Sequence, residues 1–309
     1  MILGIDIGGT KCAVTLGEDG KILKKESFPT KECKQTITKL LDLAEKMGKA
    51  DAVGISCGGP LDSNRGIIMS PPNLPGWDNS PITSLFEQRL KIPAYLQNDA
   101  NACALAEWRF GAGRGTRNMV FLTFGTGLGA GLILNGRLVD GANGMAGEIG
   151  HVRLTDGGPV GYGKAGSAEG YCSGGGIARL GRTLAAEALA RGEALPYCKT
   201  EEELENITAK LLADYAREGE TLAKRVYDLS GEMLGRTLSV IIDLINPEKI
   251  VIGSIFARAE DLLRPNMEKV LKKEAIPLSL SVCEIVRAEL GEEIGDLAAL
   301  AVGETRGGQ

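Results

Sequence analysis

The sequence lacks the features that mark membrane, secreted and nucleic-acid-binding proteins. No apolar run approaches the ~20 residues of a membrane span, and Met1 leads directly into a predicted strand instead of a signal peptide. The seven cysteines are scattered without a Cys-x-x-Cys pair, which predicts reduced thiols and a cytoplasmic location. The net charge is −5, and basic clusters such as 269–273 are not interleaved with aromatics. We therefore expect neither a membrane nor a nucleic-acid partner.

Glycine is abundant, with 43 residues among 309, and it clusters in turns between apolar segments. That distribution is typical of α/β enzymes whose phosphate sites are built from backbone N–H groups. The length is enough for one large domain or two ordinary ones.

One pattern occurs twice, as an apolar strand, a Gly/Thr turn and a second apolar strand. The first copy begins at Ile2 and turns at Gly8-Gly-Thr10, and the second begins at Val120 and turns at Gly125-Thr-Gly127. Two such hairpins far apart in the chain predict two related lobes, whose turns can face each other and present N–H groups to a phosphate chain.

Between and after the hairpins, the hydrophobic periodicity predicts alternating helices and strands. We expect an α/β fold with two sheets. The predicted helices are 34–47, 82–90, 100–110, 175–192, 200–216, 219–245, 258–274 and 294–303. The predicted strands are 2–7, 12–17, 21–27, 52–56, 94–97, a meander over 118–140, 249–252 and 281–288. Residues 70–77 read as a proline-rich loop, and 111–115 as an interlobe hinge.

Six motifs occur in order along the chain. They are Asp6-Ile-Gly-Gly-Thr10, Ser70-Pro-Pro-Asn-Leu-Pro-Gly-Trp77, Asn98-Asp-Ala-Asn101, Gly125-Thr-Gly-Leu-Gly129, Ala146-Gly-Glu-Ile-Gly-His151 and Asn246-Pro-Glu-Lys-Ile-Val-Ile-Gly253. Together they give the chain a specific resemblance to the ROK sugar kinases. The resemblance implies the two-lobed actin-like ATPase fold, with duplicated ribonuclease H-like domains. It places the small lobe at 1–114 plus a C-terminal helix at 294–309, and the large lobe at 115–293.

The resemblance also implies an activity, which is transfer of the γ-phosphate of ATP to a hexose with the help of Mg²⁺. Glucose, phosphorylated at its 6-hydroxyl, is the first expectation. A kinase of N-acetylmannosamine or another N-acetylhexosamine, a polyphosphate donor, and a sugar-sensing regulator without catalysis remain open alternatives. The family's repressors carry a helix-turn-helix before the first hairpin, which we do not expect here. A homodimer is expected from the family alone.

Asp99 is the residue that the resemblance assigns as the base of this reaction. Read by itself, Asn98-Asp99 caps the helix that follows a strand. Within the motif set, Asp99 would accept the proton of the attacking hydroxyl and Asn98 would bind a neighbouring one.

The resemblance assigns the phosphate and Mg²⁺ contacts to the two glycine turns and their neighbours. Asp6 would help to place Mg²⁺ through water, because hard cations prefer carboxylate oxygen and water. Lys11 either adds positive charge there or is simply solvated, and Gly253 with Ser254 would lie beside the nucleoside. The remaining expected contacts are Gly8, Gly9, Thr10, Gly125, Thr126 and Gly127.

Sugar contacts are implied for a second group of residues. Glu148 and His151, the only histidine, are spaced to share a face if the segment turns helically. They would bind ring hydroxyls, with Glu169 on the anomeric side. Asn73 and Gly59 are weaker candidates, and Trp77 is expected to pack in the interior.

The sequence departs from the family at one site. Many members follow this histidine with Cys-x-Cys-Gly-x-x-Gly-Cys-x-Glu, and the histidine and three cysteines hold zinc. Here the cysteine positions carry Val160, Tyr162 and Ser167, so we predict no structural zinc. His151 would then be oriented by a hydroxyl, such as that of Tyr162 or Ser167, or by a backbone carbonyl.

Overall fold

A computed structural model describes residues 1–307, which divide into two compact units. Unit 1 contains 1–121, 131–146 and the segment from Ala288 onward, and unit 2 contains 122–130 and 147–287. The predicted lobe boundaries at 114 and 293 stay a prediction, as does the hinge at 111–115. The last two residues of the predicted helix 294–309 lie outside the described residues.

The elements alternate along the chain as expected for an α/β protein. The strands are β1 (Ile2–Ile7), β2 (Lys11–Glu18), β3 (Lys21–Pro29), β4 (Ala52–Cys57), β5 (Leu61–Asp62), β6 (Ile67–Ile68), β7 (Ala94–Asn98), β8 (Met119–Phe124), β9 (Leu128–Leu134), β10 (Arg137–Leu138), β11 (Val160–Gly161), β12 (Lys164–Ala165), β13 (Lys249–Ile252) and β14 (Glu284–Arg287). The helices are α1 (Cys33–Met47), α2 (Ile82–Leu90), α3 (Asp99–Arg109), α4 (Ala168–Tyr171), α5 (Gly174–Ala190), α6 (Ala209–Arg217), α7 (Thr221–Ile245), α8 (Ile255–Glu274), α9 (Pro277–Leu280) and α10 (Ile294–Gly307).

The first sheet has the order β3-β2-β1-β4-β7. The β1–β3 meander is antiparallel, while β4 and β7 run parallel to β1. Because Ile7 lies opposite Cys57, and Cys57 opposite Asn98, the carboxyl ends of the three parallel strands meet at one edge. Open α/β sheets bind ligands at this edge.

The two faces of this sheet are buried in different ways. Large apolar side chains of β1, β2 and β4 pack with those of α1 in a hydrophobic core. The opposite face contacts α10, and small residues allow a close approach. A Cβ on Gly54 would lie 3.0 Å from the Cα of Gly303, so the helix backbone lies directly on the strand.

The second sheet has the order β10-β9-β8-β13-β14, with β13 and β14 parallel. In unit 2, the long helix α7 packs against α8, α6 and α5. Among the described residues, no helix is both long and apolar enough to cross a membrane.

Several predicted elements were wrong in their extent: the helix predicted at 258–274 begins at Ile255, and the helix predicted at 294–303 continues to Gly307. Two others differ for reasons that the structure shows. The predicted helix 200–216 is a 3-10 helix over Glu201–Asn206 followed by α6, because the Thr208 hydroxyl accepts from the Leu211 N–H and starts a new helix. The predicted strand 281–288 is reduced to β14, because Pro277 begins the short helix α9 in the preceding segment.

Candidate active site

The first glycine turn of unit 1 is held by its own backbone and by its neighbours. The Gly8 N–H donates to the Lys11 carbonyl at 3.1 Å, and the Thr30 hydroxyl donates to the Gly8 carbonyl at 2.6 Å. A Cβ on Gly9 would lie 2.7 Å from the carbonyl oxygen of Asn73. The turn therefore packs directly on the proline-rich loop, which brings the sequence-predicted Asn73 beside it. Gly9 and Thr10 are exposed.

Asp6 lies at the end of β1, immediately before this turn. Burial, together with the negative charges of Asp296 and Asp99, raises the pKa of Asp6 to about 6, and Lys11 and Lys25 oppose the rise. Lys11 is exposed and its charge acts on Asp6, whereas its contact with a nucleotide stays a prediction.

Asp296, which sequence reasoning missed, is only 4% exposed at the start of α10. It accepts a hydrogen bond from the Thr15 hydroxyl at 3.1 Å and forms an ion pair with Lys25. The preceding Gly295 has no side chain, and a Cβ there would lie 3.2 Å from an Asp6 oxygen. The first turn of α10 thus adjoins Asp6.

Asn98 and Asp99 lie at the carboxyl end of β7, where α3 begins. The Asn98 side chain is the N-cap, accepting from the Asn101 N–H at 2.8 Å. Asp99 is the first helical residue, and its Oδ1 accepts from the Ala100 N–H at 2.8 Å. The residue is exposed, yet the surrounding protein removes enough hydration to raise its pKa, which the Ala100 N–H opposes. Asp99 is thus exposed at the first residue of α3.

A buried amide network, also missed by sequence reasoning, supports this corner. Gln97 donates to Asp140 at 2.7 Å and accepts from the Asn98 N–H at 2.9 Å. The fully buried Asn101 donates to Gln97 at 3.3 Å and to Asp140 at 3.2 Å. Asn101 could be identified from the sequence, because it ends the Asn98-Asp-Ala-Asn101 motif. No sequence feature identified Asp140 as its partner.

Gly59 follows β4 at the same edge of the sheet and is exposed. A Cβ on Gly59 would have open space around it, since the nearest atom, the Leu61 backbone nitrogen, would lie 4.0 Å away. Trp77 is 1% exposed and packs in the core, as expected. Unit 1 therefore brings together Asp6, the first turn, Asn73, Gly59, Asn98 and Asp99.

The second glycine turn, in unit 2, is tied to Glu169. The Gly125 N–H donates to the Gly127 carbonyl at 3.1 Å. Glu169, in the first turn of α4, accepts from the Leu128 N–H at 3.1 Å, and a Cβ on Gly127 would lie 2.7 Å from the same carboxylate oxygen. This carboxylate therefore touches the phosphate-type turn, in addition to its predicted sugar role.

The segment around Glu148 lies flat against β9. The Ala130 N–H donates to the Gly147 carbonyl at 3.0 Å, and a Cβ on Gly150 would strike the backbone of Leu128. Between these glycines the chain forms a 3-10 turn in which the His151 N–H donates to the Glu148 carbonyl at 3.1 Å. The predicted helical spacing is confirmed, and both side chains are exposed.

The residues at the family's zinc position do not fit a zinc ion. Val160 offers no donor, and the Ser167 hydroxyl is engaged with the Gly170 N–H and the Gly161 carbonyl. Within residues 1–307 no group of three His, Cys, Asp or Glu could hold a metal. Ser167 is therefore wrong as the partner of His151. The Tyr162 ring lies edge-on to the imidazole, with centroids 6.2 Å apart.

A cavity of about 590 Å³ lies within unit 2, and sequence reasoning identified only part of its lining. The second turn and the start of α8 at Ser254 form one end. Missed residues come from α5, α6 and α7; among them are Gly174, Gly175, Lys210, Arg217 and Tyr227. The pattern of Ser173 followed by three glycines could have predicted this end of α5, since Ser173 is its N-cap.

Gly253 and Ser254 connect β13 to α8 at this cavity. The Gly253 N–H donates to the Leu122 carbonyl at 3.0 Å, which ties the connection to β8. Ser254 has φ 55°, a left-handed conformation that favours glycine. Arg258, one turn into α8, donates to the Ser254 hydroxyl at 3.4 Å.

Over nearly its full length, the chain is similar to known proteins of one family. The model of the ROK family matches residues 2–305. A glucokinase of Thermotoga maritima is 34% identical, over 97% of this chain and 96% of that protein. The transcriptional dual regulator NagC of Escherichia coli K12 is 29% identical, over 93% of this chain and 71% of the regulator. The crystal structure of a ROK family glucokinase from Streptomyces griseus with glucose and AMPPNP has a TM-score of 0.75 and 28% identity, and covers 98% of this chain and 99% of that one.

Proposed function

The chain belongs to the ROK family and has its actin-like ATPase fold, as predicted, and from this premise we propose that it is an ATP-dependent hexose kinase. Glucose is the proposed acceptor, phosphorylated at the 6-hydroxyl. The glucokinase relatives support the sugar-kinase class and the use of ATP. The observation that carries the proposal is the placement of Asp99 at the carboxyl edge of the first sheet, exposed at the same edge as the first glycine turn.

Asp99 would act as the base. Phosphoryl transfer needs a carboxylate that accepts the proton of the attacking hydroxyl while the phosphoryl group moves. A raised pKa makes the Asp99 carboxylate a stronger proton acceptor. Its position as the first residue of α3, behind the buried Gln97–Asn101–Asp140 network, holds the oxygen atoms in place. Asn98 would bind an adjacent sugar hydroxyl with its amide N–H₂, because its carbonyl oxygen is used as the helix cap.

Asp6 fits the expected role towards Mg²⁺. The protein leaves this carboxylate with negative neighbours and a raised pKa, so a divalent cation would relieve the repulsion. Mg²⁺ keeps most of its water and needs one or two protein carboxylates besides phosphate oxygens. When bound, the ion would neutralise charge on the transferring phosphoryl group. Lys25, paired with Asp296, would keep the neighbouring carboxylate from competing for the ion.

Different regions of the protein would bind the nucleoside and the phosphates of the nucleotide. In unit 2 the cavity beside Thr126 and Ser254 has the size of a small-ligand pocket, and we assign it to the nucleoside. The two glycine turns would bind the phosphates through backbone N–H groups, the first with Gly8, Gly9, Thr10 and Lys11 and the second with Gly125, Thr126 and Gly127.

The sugar would be recognised by directional hydrogen bonds. Glu148 and His151 extend from the 3-10 turn into solvent, and Glu169 has one oxygen engaged with the Leu128 N–H. Carboxylates and imidazole discriminate hydroxyl positions, because a buried group left unpaired is costly. Asn73 and Gly59 are proposed as further contacts.

The similarity to NagC gives a second candidate, a sugar-binding regulator without catalysis. The same site would then bind the sugar, and Asp99 would serve only as part of the helix start. An N-acetylhexosamine kinase is the other alternative.

The test is an ADP-release assay with ATP and Mg²⁺ across glucose, mannose, fructose, allose, N-acetylglucosamine and N-acetylmannosamine. We expect turnover of glucose and a loss of about 10²–10⁴-fold in kcat for Asp99→Asn, the range of general-base contributions. Asp19→Asn, in the exposed β2–β3 turn, is the matched control. Glucose binding by calorimetry without turnover would favour the regulator, and turnover of an acetylated sugar alone would replace glucose as substrate.

A further inference from the structure

His151 is placed by the backbone on both of its sides. Before it, the 3-10 turn ties its N–H to Glu148. After it, the chain pairs with the segment that leads into α4. The Ala168 N–H donates to the Val152 carbonyl at 2.8 Å, and the Leu154 N–H donates to the Gly166 carbonyl at 2.7 Å. This pairing holds the small β11–β12 hairpin next to His151.

Two side chains of that hairpin reach His151. The Lys164 ammonium donates to the His151 carbonyl at 2.8 Å. The Tyr162 ring meets the imidazole at an interplanar angle of 77°, an edge-to-face arrangement that is favourable for aromatic pairs. One contact fixes the backbone of His151 and the other restricts its ring.

Tyr162 adopts a conformation that tyrosine ordinarily avoids. It is the first residue of the two-residue β11–β12 turn, with φ 42°, and Gly163 follows with φ 76°. Turns with two positive φ values favour asparagine and glycine. Tyr162 is also 82% exposed, so burial in a core does not explain the choice of tyrosine. The aromatic neighbour of its ring is the imidazole of His151.

We infer that Tyr162 and Lys164 are positioning residues that hold His151 for the sugar, the task that zinc ligation performs in relatives with the three cysteines. The inference rests on the proposed function, because His151 is given its sugar role there. Neither residue touches the reacting atoms, so the inference concerns sugar affinity and not the phosphoryl-transfer step.

The first test compares Tyr162→Asn and Lys164→Met with the conservative Tyr162→Phe and Lys164→Arg. Asparagine suits the left-handed turn, so Tyr162→Asn removes the ring without straining the hairpin. We expect the KM for the sugar to rise about 10-fold in each disruptive variant, the lower range for groups that orient a ligating histidine. The kcat and the KM for ATP should stay within about 2-fold, and the conservative variants should resemble the wild type. An unchanged sugar KM in Tyr162→Asn and Lys164→Met would overturn the inference.

The second test needs no activity. His151 is the only histidine, so tag-free protein labelled with ¹³C-histidine gives one set of imidazole signals. Loss of the aromatic ring in Tyr162→Asn should shift these signals, whereas Tyr162→Phe should leave them in place. Unshifted signals in Tyr162→Asn, or one zinc per chain by elemental analysis, would contradict the inference. Failure of the wild type to phosphorylate any sugar would instead remove the proposed function, while this readout still decides whether the Tyr162 ring contacts the imidazole of His151.

Discussion

At the scale of single residues, two aspartates of unit 1 occupy opposite environments. Asp296 is buried but compensated, since the Thr15 hydroxyl and the Lys25 ammonium both contact its carboxylate. Asp6 is desolvated and lies near the like charges of Asp296 and Asp99. One carboxylate therefore stabilises the fold, and the other costs stability at the position where we propose that a cation binds.

We predict that Asp6→Asn raises the thermal stability of the protein above pH 6. Because the folded-state pKa of about 6 lies above the ordinary value of 3.8, the ionised Asp6 destabilises the fold fully above pH 6, and this penalty shrinks as the pH falls from 6 to 4 and is absent at lower pH. The gain should be about 1–3 kcal/mol at pH 8, from 1.36 kcal/mol per pKa unit, and near zero at pH 4. Thermal unfolding at both pH values measures it.

Asp296→Asn is the matched control with the opposite sign. It removes the partner of Lys25, and loss of a charged hydrogen bond costs about 1.5–3 kcal/mol. Equal stability changes in the two variants, or a gain for Asp6→Asn that does not depend on pH, would show that the charge of Asp6 is not penalised.

The residues that sequence reasoning missed are partners across long separations. Asp296 lies 281 positions from Thr15, and Asp140 lies 43 positions from Gln97. Local motifs identified Asp6 and the Asn98–Asp99 corner because these residues lie at strand ends within short, recognisable motifs. Nothing local indicates which carboxylate will be folded against them, since such pairs arise only from tertiary packing.

At the scale of elements, the sequence predicted most of the fold. Both hairpins, α1, α2 and β13 appeared within a residue or two of their predicted ends, because alternation and helical periodicity are strong there. The region 200–216 was misread because its polar first half resembles the start of one helix, whereas Thr208 caps a second helix. The lining of the unit 2 cavity was largely missed, because α5, α6 and α7 contribute ordinary helix residues.

The start of α3 allows its capping role and its proposed sugar role to be separated. Serine caps helices as well as asparagine but lacks the amide that would reach the sugar. We expect Asn98→Ser to retain the stability of the wild type and to raise the sugar KM, whereas Asn98→Ala should also lose about 1 kcal/mol. Denaturant unfolding and steady-state kinetics distinguish the effects. A normal sugar KM in Asn98→Ser would leave Asn98 as a cap only.

At the scale of the whole molecule, the ROK family model matches residues 2–305, which is nearly the full length of the chain. The fold could thus be predicted from motif order, while the acceptor sugar could not, because acetyl-group accommodation depends on packing that motifs do not encode. The lobe boundaries, the homodimer and the individual site contacts stay predictions.

Ligand binding to the folded protein alone should raise its melting temperature. At 100 times its Kd, AMPPNP with Mg²⁺ should add about 2.7 kcal/mol, which corresponds to a shift of several degrees for a chain of this size. A thermal-shift titration with AMPPNP, and separately with glucose, measures this, with L-glucose as the inert control. The absence of a shift with millimolar AMPPNP would contradict the assignment of the unit 2 cavity to a nucleoside.

The contact between Gly54 and Gly303 has a consequence for protein synthesis. The face of the first sheet that α10 covers is made early, whereas α10 leaves the ribosome only after all of unit 2. At a translation rate of ~5–20 residues per second, that face stays uncovered for on the order of 10–50 s before α10 is synthesised. Translation arrest before α10 thus leaves a nascent chain in which this face of the first sheet, built around Gly4 and Gly54, stays exposed to water.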